Sequence, residues 1–192
     1  RCLVGSEMCI RDSRTTGTAI ALMIENQNTR SSDYAKTADL LRPGHADYTA
    51  YAKYHGYQDA RGGGHFSGRV TAALVAGGAL VLGALNRAGI EIVTHIGRCA
   101  GISDAPFALD DPAALAAQAE ALLNKSEGFA LLDGSVEEPM KAAIRAAGAE
   151  GDSVGGVLET AILGLPAGVG EPYFDSVESK LSHLAFSIPA VK

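Results

Sequence analysis

Apolar and polar positions along the chain switch repeatedly between a strand-like and a helix-like period. TTGTAIALMIEN, from Thr15 to Asn26, is rich in Thr and Ile and predicts a buried strand entered from a glycine turn. Asn26 to Asp33 is polar and reads as a loop. Arg42-Pro43-Gly44 is a breaker cluster. His45 to Tyr54 then predicts a short helix that places Tyr48, Tyr51 and Tyr54 on neighbouring turns. A glycine loop follows at Arg61 to Gly64. Ser67 is placed to cap a long helix through about Ala88, with Val70, Ala73, Leu74, Gly77, Val81 and Leu85 along one broad face. Its small residues Ala76 to Ala79 suit close packing under a sheet or another helix.

Gly89 ends that pattern, and Ile90 to about Ile102 alternates as a strand. Asp111-Pro112 opens a helix, with Pro in its first turn, that continues to about Asn124. A further helical run spans Val136 to Ala147 and ends at Gly148. Ser153 to Pro166 is β-branched and glycine-spaced, which predicts a strand with a bulge or close approach at Gly155-Gly156. Ser176 to Ser187 is helical in pattern, and the last residues, Ile188 to Lys192, are an apolar stretch with no closing element. No internal repeat is visible. Strands and helices joined by uneven connections point to a mixed α/β or α+β layered fold.

The 192 residues amount to one ordinary domain or part of a larger one. With 47% hydrophobic and 20% charged residues and a mean hydropathy of +0.10, the chain is a folded globular protein, which excludes disorder, a coiled coil and a collagen-like chain. Glycine is the outlier at 23 residues, against a usual share of about 7%. The balance of 16 Lys and Arg against 22 Asp and Glu, without any Trp, disfavours a nucleic-acid surface. Asp59 to Arg69 is nevertheless locally basic. The longest charge-free candidate for a membrane span, Val70 to Leu85, is glycine-broken and short of the ~20 residues required, so no membrane association is expected. Cys2, Cys9 and Cys99 form no metal spacing, and their odd number points to a reducing cytoplasm. Two of them lie in RCLVGSEMCIRDS, which has no signal-peptide pattern and resembles a translated sequencing adapter. Residues 1–13 are therefore expected to be foreign to the fold or a poorly ordered terminus, and residues 14–192 to form a partial domain.

RGGGHFSGRVT, Arg61 to Thr71, is the strongest local signal for chemistry. Three glycines ahead of a helix start, bracketed by Arg61, His65 and Arg69, favour a phosphate or carboxylate. The stretch is not a nucleotide triphosphate loop, because Arg69-Val70 replace the required Lys and Ser/Thr. A plain glycine turn before a capped helix is the structural alternative. In Arg42-Pro43-Gly44-His45-Ala46-Asp47-Tyr48, a rigid turn could fix the His45 imidazole for proton transfer, or let it cap and pack locally. His55, His95 and His183 default to structural roles. Glu25, Asp33, Asp59 and Asp152 have no partner identifiable from spacing, and Gly151 to Gly156 reads as backbone geometry.

Five motifs, TTGTAIALMIEN, RPGHADYTA, YQDARGGGHFSGRVTAALVAGGAL, GDSVGGVLE and GEPYFDSVESKLSHLAFSIPAVK, resemble the chorismate synthase family, in order and across residues 15–192. The resemblance implies an α+β sandwich in which antiparallel sheets enclose helices, here truncated to little more than the first half of an internal pseudo-repeat. It implies a cytoplasmic carbon-oxygen lyase of the shikimate pathway of aromatic amino-acid biosynthesis. That enzyme catalyses 1,4-trans elimination of phosphate from 5-enolpyruvylshikimate 3-phosphate to give chorismate, requires reduced FMN without net redox change, and is a homotetramer. His45 corresponds to a family histidine that donates a proton near the flavin. His65, Phe66 and Ser67 stand where a flavin-contacting Arg-Ser-Ser is common, and Arg69 where an Arg meets the anionic substrate. The His65-Phe66 pair departs from that pattern. The family's Gly-x-Ser-His-Gly segment and its later flavin-contacting segments are absent from these 192 residues, so the chain alone is expected to be inactive. Two other classes remain: a non-catalytic anion- or phosphate-binding module built on Gly62 to Arg69, and a purely structural half that associates with other subunits.

Overall fold

The structure, a computed structural model, describes residues 2–4, 10–11, 14–25, 31–34, 40–59, 61 and 63–192. Most of the predicted Asn26–Asp33 loop, part of the opening segment 1–13, and Gly62 lie outside the described residues. The chain divides into two units, one made of Arg1–Val81 and Gly170–Lys192, the other of Leu82–Val169.

In the first unit, β1 (Cys2–Val4) pairs antiparallel with β4 (Leu22–Ile24), and β2 (Ile10–Arg11) with β3 (Arg14–Thr15). The single buried strand expected from Thr15 to Asn26 is thus two short strands on either side of a turn. Nor is it buried, since Met23 and Ile24 are exposed. Among the described residues β4 pairs with β1 alone, and apolar β-branched composition cannot reveal whether another layer covers a strand. Ser31–Tyr34 is one 3-10 turn. The predicted tyrosine helix is α1 (Asp47–Tyr54), which turns Ala50 inward and leaves Tyr48, Tyr51 and Tyr54 exposed. α2 (Thr71–Arg87) follows the glycine loop and crosses the boundary between the units. α5 (Val177–Ala185) begins where the Ser176 hydroxyl accepts from the Ser179 N–H at 3.2 Å.

None of the residues of α2 is buried, and Leu74, Val75, Leu80, Val81 and Leu82 are exposed, so the predicted packing face has no cover among the described residues. With the turn before it the helical segment runs from Gly68 to Arg87, 20 residues with a mean hydropathy of 1.7 in its most apolar window. It is long and apolar enough to cross a membrane by length and composition, longer than the charge-free run alone indicated.

The second unit is built on an antiparallel sheet of order β6-β5-β7, with β5 (Glu91–Cys99) central between β6 (Ile102–Ser103) and β7 (Gly156–Leu163). The single strand expected from Ile90 to Ile102 is instead a hairpin. Ala100 and Gly101 both adopt positive φ, 53° and 83°, which is the two-residue turn whose twist suits paired strands. β5 and β7 align Glu91 with Leu163 through Cys99 with Gly156, and the irregularity lies on β5 between Ile96 and Arg98 rather than at Gly155-Gly156. Gly156 does make the expected close approach, since a Cβ there would sit 2.9 Å from the Arg98 carbonyl oxygen.

α3 (Pro112–Leu123) packs on β5. Val93, Phe107 and Ala119 form one core cluster, flanked by Leu115, Leu122 and Leu163. α4 (Glu137–Ala149) runs through Gly148, which the sequence pattern took for its end, and brings Met140 against Cys99 and Leu131 in a second cluster. The side chains of His95 and Asp104 are fully buried in this unit, with His95 Nδ1 2.8 Å from Asp104 Oδ2 and Nε2 2.9 Å from Glu159 Oε2.

Candidate functional site

The predicted site residues all belong to the first unit, at the two ends of α1 and at the start of α2. At the first end, the turn Arg42-Pro43-Gly44 closes when the His45 N–H donates to the Arg42 carbonyl at 3.3 Å. Arg42 then locks the turn onto the helix. Its backbone N–H, Nε and Nη2 donate to the Asp47 carboxylate at 3.0, 2.8 and 3.0 Å, a forked pair of high geometric specificity. The Arg42 side chain first, then its backbone N–H, hold the Asp47 carboxyl down at about 2, and Arg42 is raised in turn. Asp47 is also the first helical residue, where negative charge meets the positive end of the helix dipole. His45 is exposed on this backbone, so its position is set by the turn while its ring stays open to a ligand.

At the other end of α1, Asp59 folds back on Arg61. The Arg61 N–H, Nε and Nη2 donate to its carboxylate at 3.0, 2.8 and 3.1 Å, and the Arg61 side chain is the main reason the Asp59 carboxyl falls to about 2. Spacing had given Asp59 no partner; the two-residue separation becomes a contact only because the glycine loop turns sharply. The charge of Arg61, counted in the sequence as part of a basic rim, is thereby committed to Asp59. Gly64 sits at φ +50°, and a Cβ there would lie 2.8 Å from the Asp59 carbonyl oxygen, so only glycine lets the loop close over Asp59.

Two 3-10 turns, Gly64–Phe66 and Gly68–Val70, lead into α2. The backbone N–H groups of Gly64, Phe66, Ser67 and Val70 donate within this loop. The Arg69 N–H donates to the Ser67 hydroxyl at 3.4 Å, and Arg69 Nε to the same oxygen at 3.1 Å. Ser67 thus caps as the sequence predicted and orients the Arg69 guanidinium as well. These five N–H groups are engaged within the loop, and the side chains of His65 and Arg69 flank it. Gly62, the first residue of the proposed anion loop, is outside the described residues.

Phe66 is partly exposed and lies 6.3 Å, centroid to centroid, from Tyr54 at the end of α1, the rings tilted by 46°. Lys53 Nζ stands 5.7 Å over the Tyr54 ring. Gln58 Oε1 is, among the described residues, the buried side-chain polar atom without a partner. The sequence pattern places Tyr54 on a helix but does not pair it with Phe66, and nothing in it singles out Gln58 or Lys53. Between the end of α1 and the start of α2 the structure pairs Tyr54 with Phe66, Asp59 with Arg61 and Ser67 with Arg69. It does not join His45 to them by any hydrogen bond or ring contact among the described residues; α1, eight residues and about 12 Å long, spans the interval. An exposed aromatic pair with basic side chains in the same segment suits a planar anionic group.

Comparison with known proteins bears on the same residues. The family model described as chorismate synthase matches residues 6–192. A chorismate synthase of Chitinophaga pinensis is 42% identical over 181 residues, which is 94% of this chain and 44% of that protein. One from Pyrococcus abyssi is 40% identical over 178 residues, 93% of this chain and 47% of that protein. A crystal structure of chorismate synthase superimposes with a TM-score of 0.77 at 25% identity, over 100% of this chain and 53% of the other. The chain spans about half the length of the curated relatives it matches.

Proposed function

Because the chain belongs to the chorismate synthase family, we propose that it carries part of the site of a lyase that converts 5-enolpyruvylshikimate 3-phosphate to chorismate, the last shared step of aromatic amino-acid biosynthesis. The observation that carries this reading is the helix start at residues 64–71, where Ser67 holds Arg69 and Phe66 lies beside Tyr54. In the elimination a ring C–O bond to phosphate breaks, a ring proton leaves, and the electrons of the C–H bond become a new ring double bond, so nothing is oxidised or reduced overall. Reduced FMN, when bound, supplies an electron-rich surface that stabilises cationic or radical character developing in the substrate.

His65, Phe66 and Ser67 would hold FMN, Phe66 by presenting a ring face and His65 and Ser67 by polar contact. Arg69, oriented through Nε by Ser67, would meet a phosphate or carboxylate of the substrate with its guanidinium. His45, fixed on its turn, holds or donates the proton that keeps the cofactor in its active protonation state. The helices of this family lie between sheets, and the apolar, glycine-containing α2 suits such a core position better than a membrane. The remaining half of the relatives' length is the natural cover for it. We therefore read the 192 residues alone as inactive and their parent as a soluble cytoplasmic homotetramer. The reading as a generic phosphate-binding loop has less support, because the N–H groups of Gly64, Phe66, Ser67 and Arg69 are engaged within the loop and the family match accounts for the same residues.

In protein expressed from the whole reading frame, His45→Ala is expected to lower kcat at least ~100-fold, the usual scale for a positioned acid or base, with KM little changed. Arg69→Ala is expected chiefly to raise KM for the phosphorylated substrate. Steady-state kinetics under anaerobic conditions with reduced FMN check both, and unchanged turnover in His45→Ala would refute its role.

A further inference from the structure

His95 is buried completely between two carboxylates. Nδ1 lies 2.8 Å from Asp104 Oδ2 and Nε2 lies 2.9 Å from Glu159 Oε2. A neutral imidazole has one N–H and one acceptor nitrogen, and an ionised carboxylate only accepts. Two such contacts therefore require two protons, whereas a histidine and two carboxylates in water at neutral pH hold one.

The rest of the surroundings indicate where the second proton resides. Asp104 already accepts from the N–H of Leu132 at 2.7 Å and of Asp133 at 2.8 Å. Burial raises its carboxyl, but these N–H bonds, His95 and the Ala105 N–H outweigh that and leave it below the ordinary range, as befits an anion. Glu159 reaches the ring from β7 and is partly open to water. The titratable groups facing the ring are Asp104, from the segment after β6, and Glu159, from β7, with Asp133 adding negative charge behind Asp104. α3 contributes only apolar Leu115, Ala119 and Leu122 to this cluster, and Phe107 meets the ring edge-on at 4.6 Å. Among the described residues, no Lys or Arg pairs with either carboxylate, so the imidazole is their only cationic partner.

The backbone is shaped around this contact. At the irregularity on β5, a Cβ on Gly97 would lie 3.0 Å from Glu159 Cγ, so the bare glycine admits the side chain that reaches His95. The Gly97 carbonyl accepts from the Asp104 N–H at 2.9 Å, and the Ile96 N–H donates to Ala130 at 2.8 Å, joining the 130–133 loop to the same point. We propose that Asp104, His95 and Glu159 form a proton-holding clamp: a doubly protonated imidazole that ties β5, β7 and the 130–133 loop together and makes the second unit's stability depend on pH.

The sign follows from proton linkage. A proton that the folded chain holds and the unfolded chain does not makes stability fall as pH rises. Over the interval in which that proton is held, the unfolding constant rises by up to about tenfold per pH unit. Side-chain nitrogen NMR of the histidine-labelled chain at about pH 8 tests the proposal, with the His95→Gln variant identifying the signal. The expected result is one histidine protonated on both ring nitrogens, and a ring with a single proton would overturn the clamp. Denaturant unfolding from about pH 7 to pH 9 gives the second measure, in which Glu159→Gln is expected to flatten the dependence. Identical slopes in the wild type and Glu159→Gln would count against it equally. The NMR result on the wild type stands even if Glu159→Gln fails to fold.

Discussion

Asp47 and Asp59 each take three hydrogen bonds from one arginine, and each is held at about 2 by that partner's side chain. A folded-state value below the ordinary carboxylate value of about 4 means a contribution that is complete above that value and is lost as pH falls toward about 2. Both pairs are largely exposed, so the effect on global stability is small and screened by salt. The local effect is larger, because these pairs hold the His45 turn and the loop that carries His65 to Arg69. Carboxyl NMR titration is expected to show both groups ionised down to pH near 2, with Arg42→Gln returning Asp47, and Arg61→Gln returning Asp59, to the ordinary range. A wild-type Asp47 that titrates near 4 would remove the basis for a rigid turn under His45.

Local chemistry makes some elements legible from sequence alone. Asp111-Pro112 opens α3 as expected, with the Asp111 carboxylate accepting from the N–H groups of Ala113 and Ala114 at 3.0 and 3.1 Å. Asp111→Ala is expected to cost ~1 kcal/mol, read as a lower urea midpoint at unchanged slope. Ser67 was recognisable for the same reason, since a cap is decided within three residues. The β5–β6 hairpin was not, because Ala100 carries none of the Asn or Asp preference that marks its turn type. The end of α4 was misjudged because Gly148 continues the helix and Gly151, at φ +72°, follows it. In the candidate site, His45, His65, Phe66, Ser67 and Arg69 were visible as a motif and through family resemblance. The Asp59–Arg61 pair, the Tyr54–Phe66 contact and the His95 clamp depend on turns or on residues 64 positions apart, and neither periodicity nor spacing encodes them.

At the scale of the molecule, the two units differ in how much they bury. The second encloses Val93, His95, Cys99, Phe107, Ala119, Leu131 and Met140. In the first, the described residues classed as buried are Ala50 and Gly63, although this unit carries every candidate functional residue. Together with the exposed apolar face of α2, this is the expected condition of a site whose walls are completed by other parts of a longer protein, and the relatives are about twice as long. The measurement that tests the central claim most directly is chorismate formation from 5-enolpyruvylshikimate 3-phosphate, with anaerobically reduced FMN, by the protein expressed from the whole reading frame that contains this chain. The account predicts chorismate and phosphate in equal amounts; a folded, flavin-supplied protein that releases neither would contradict it.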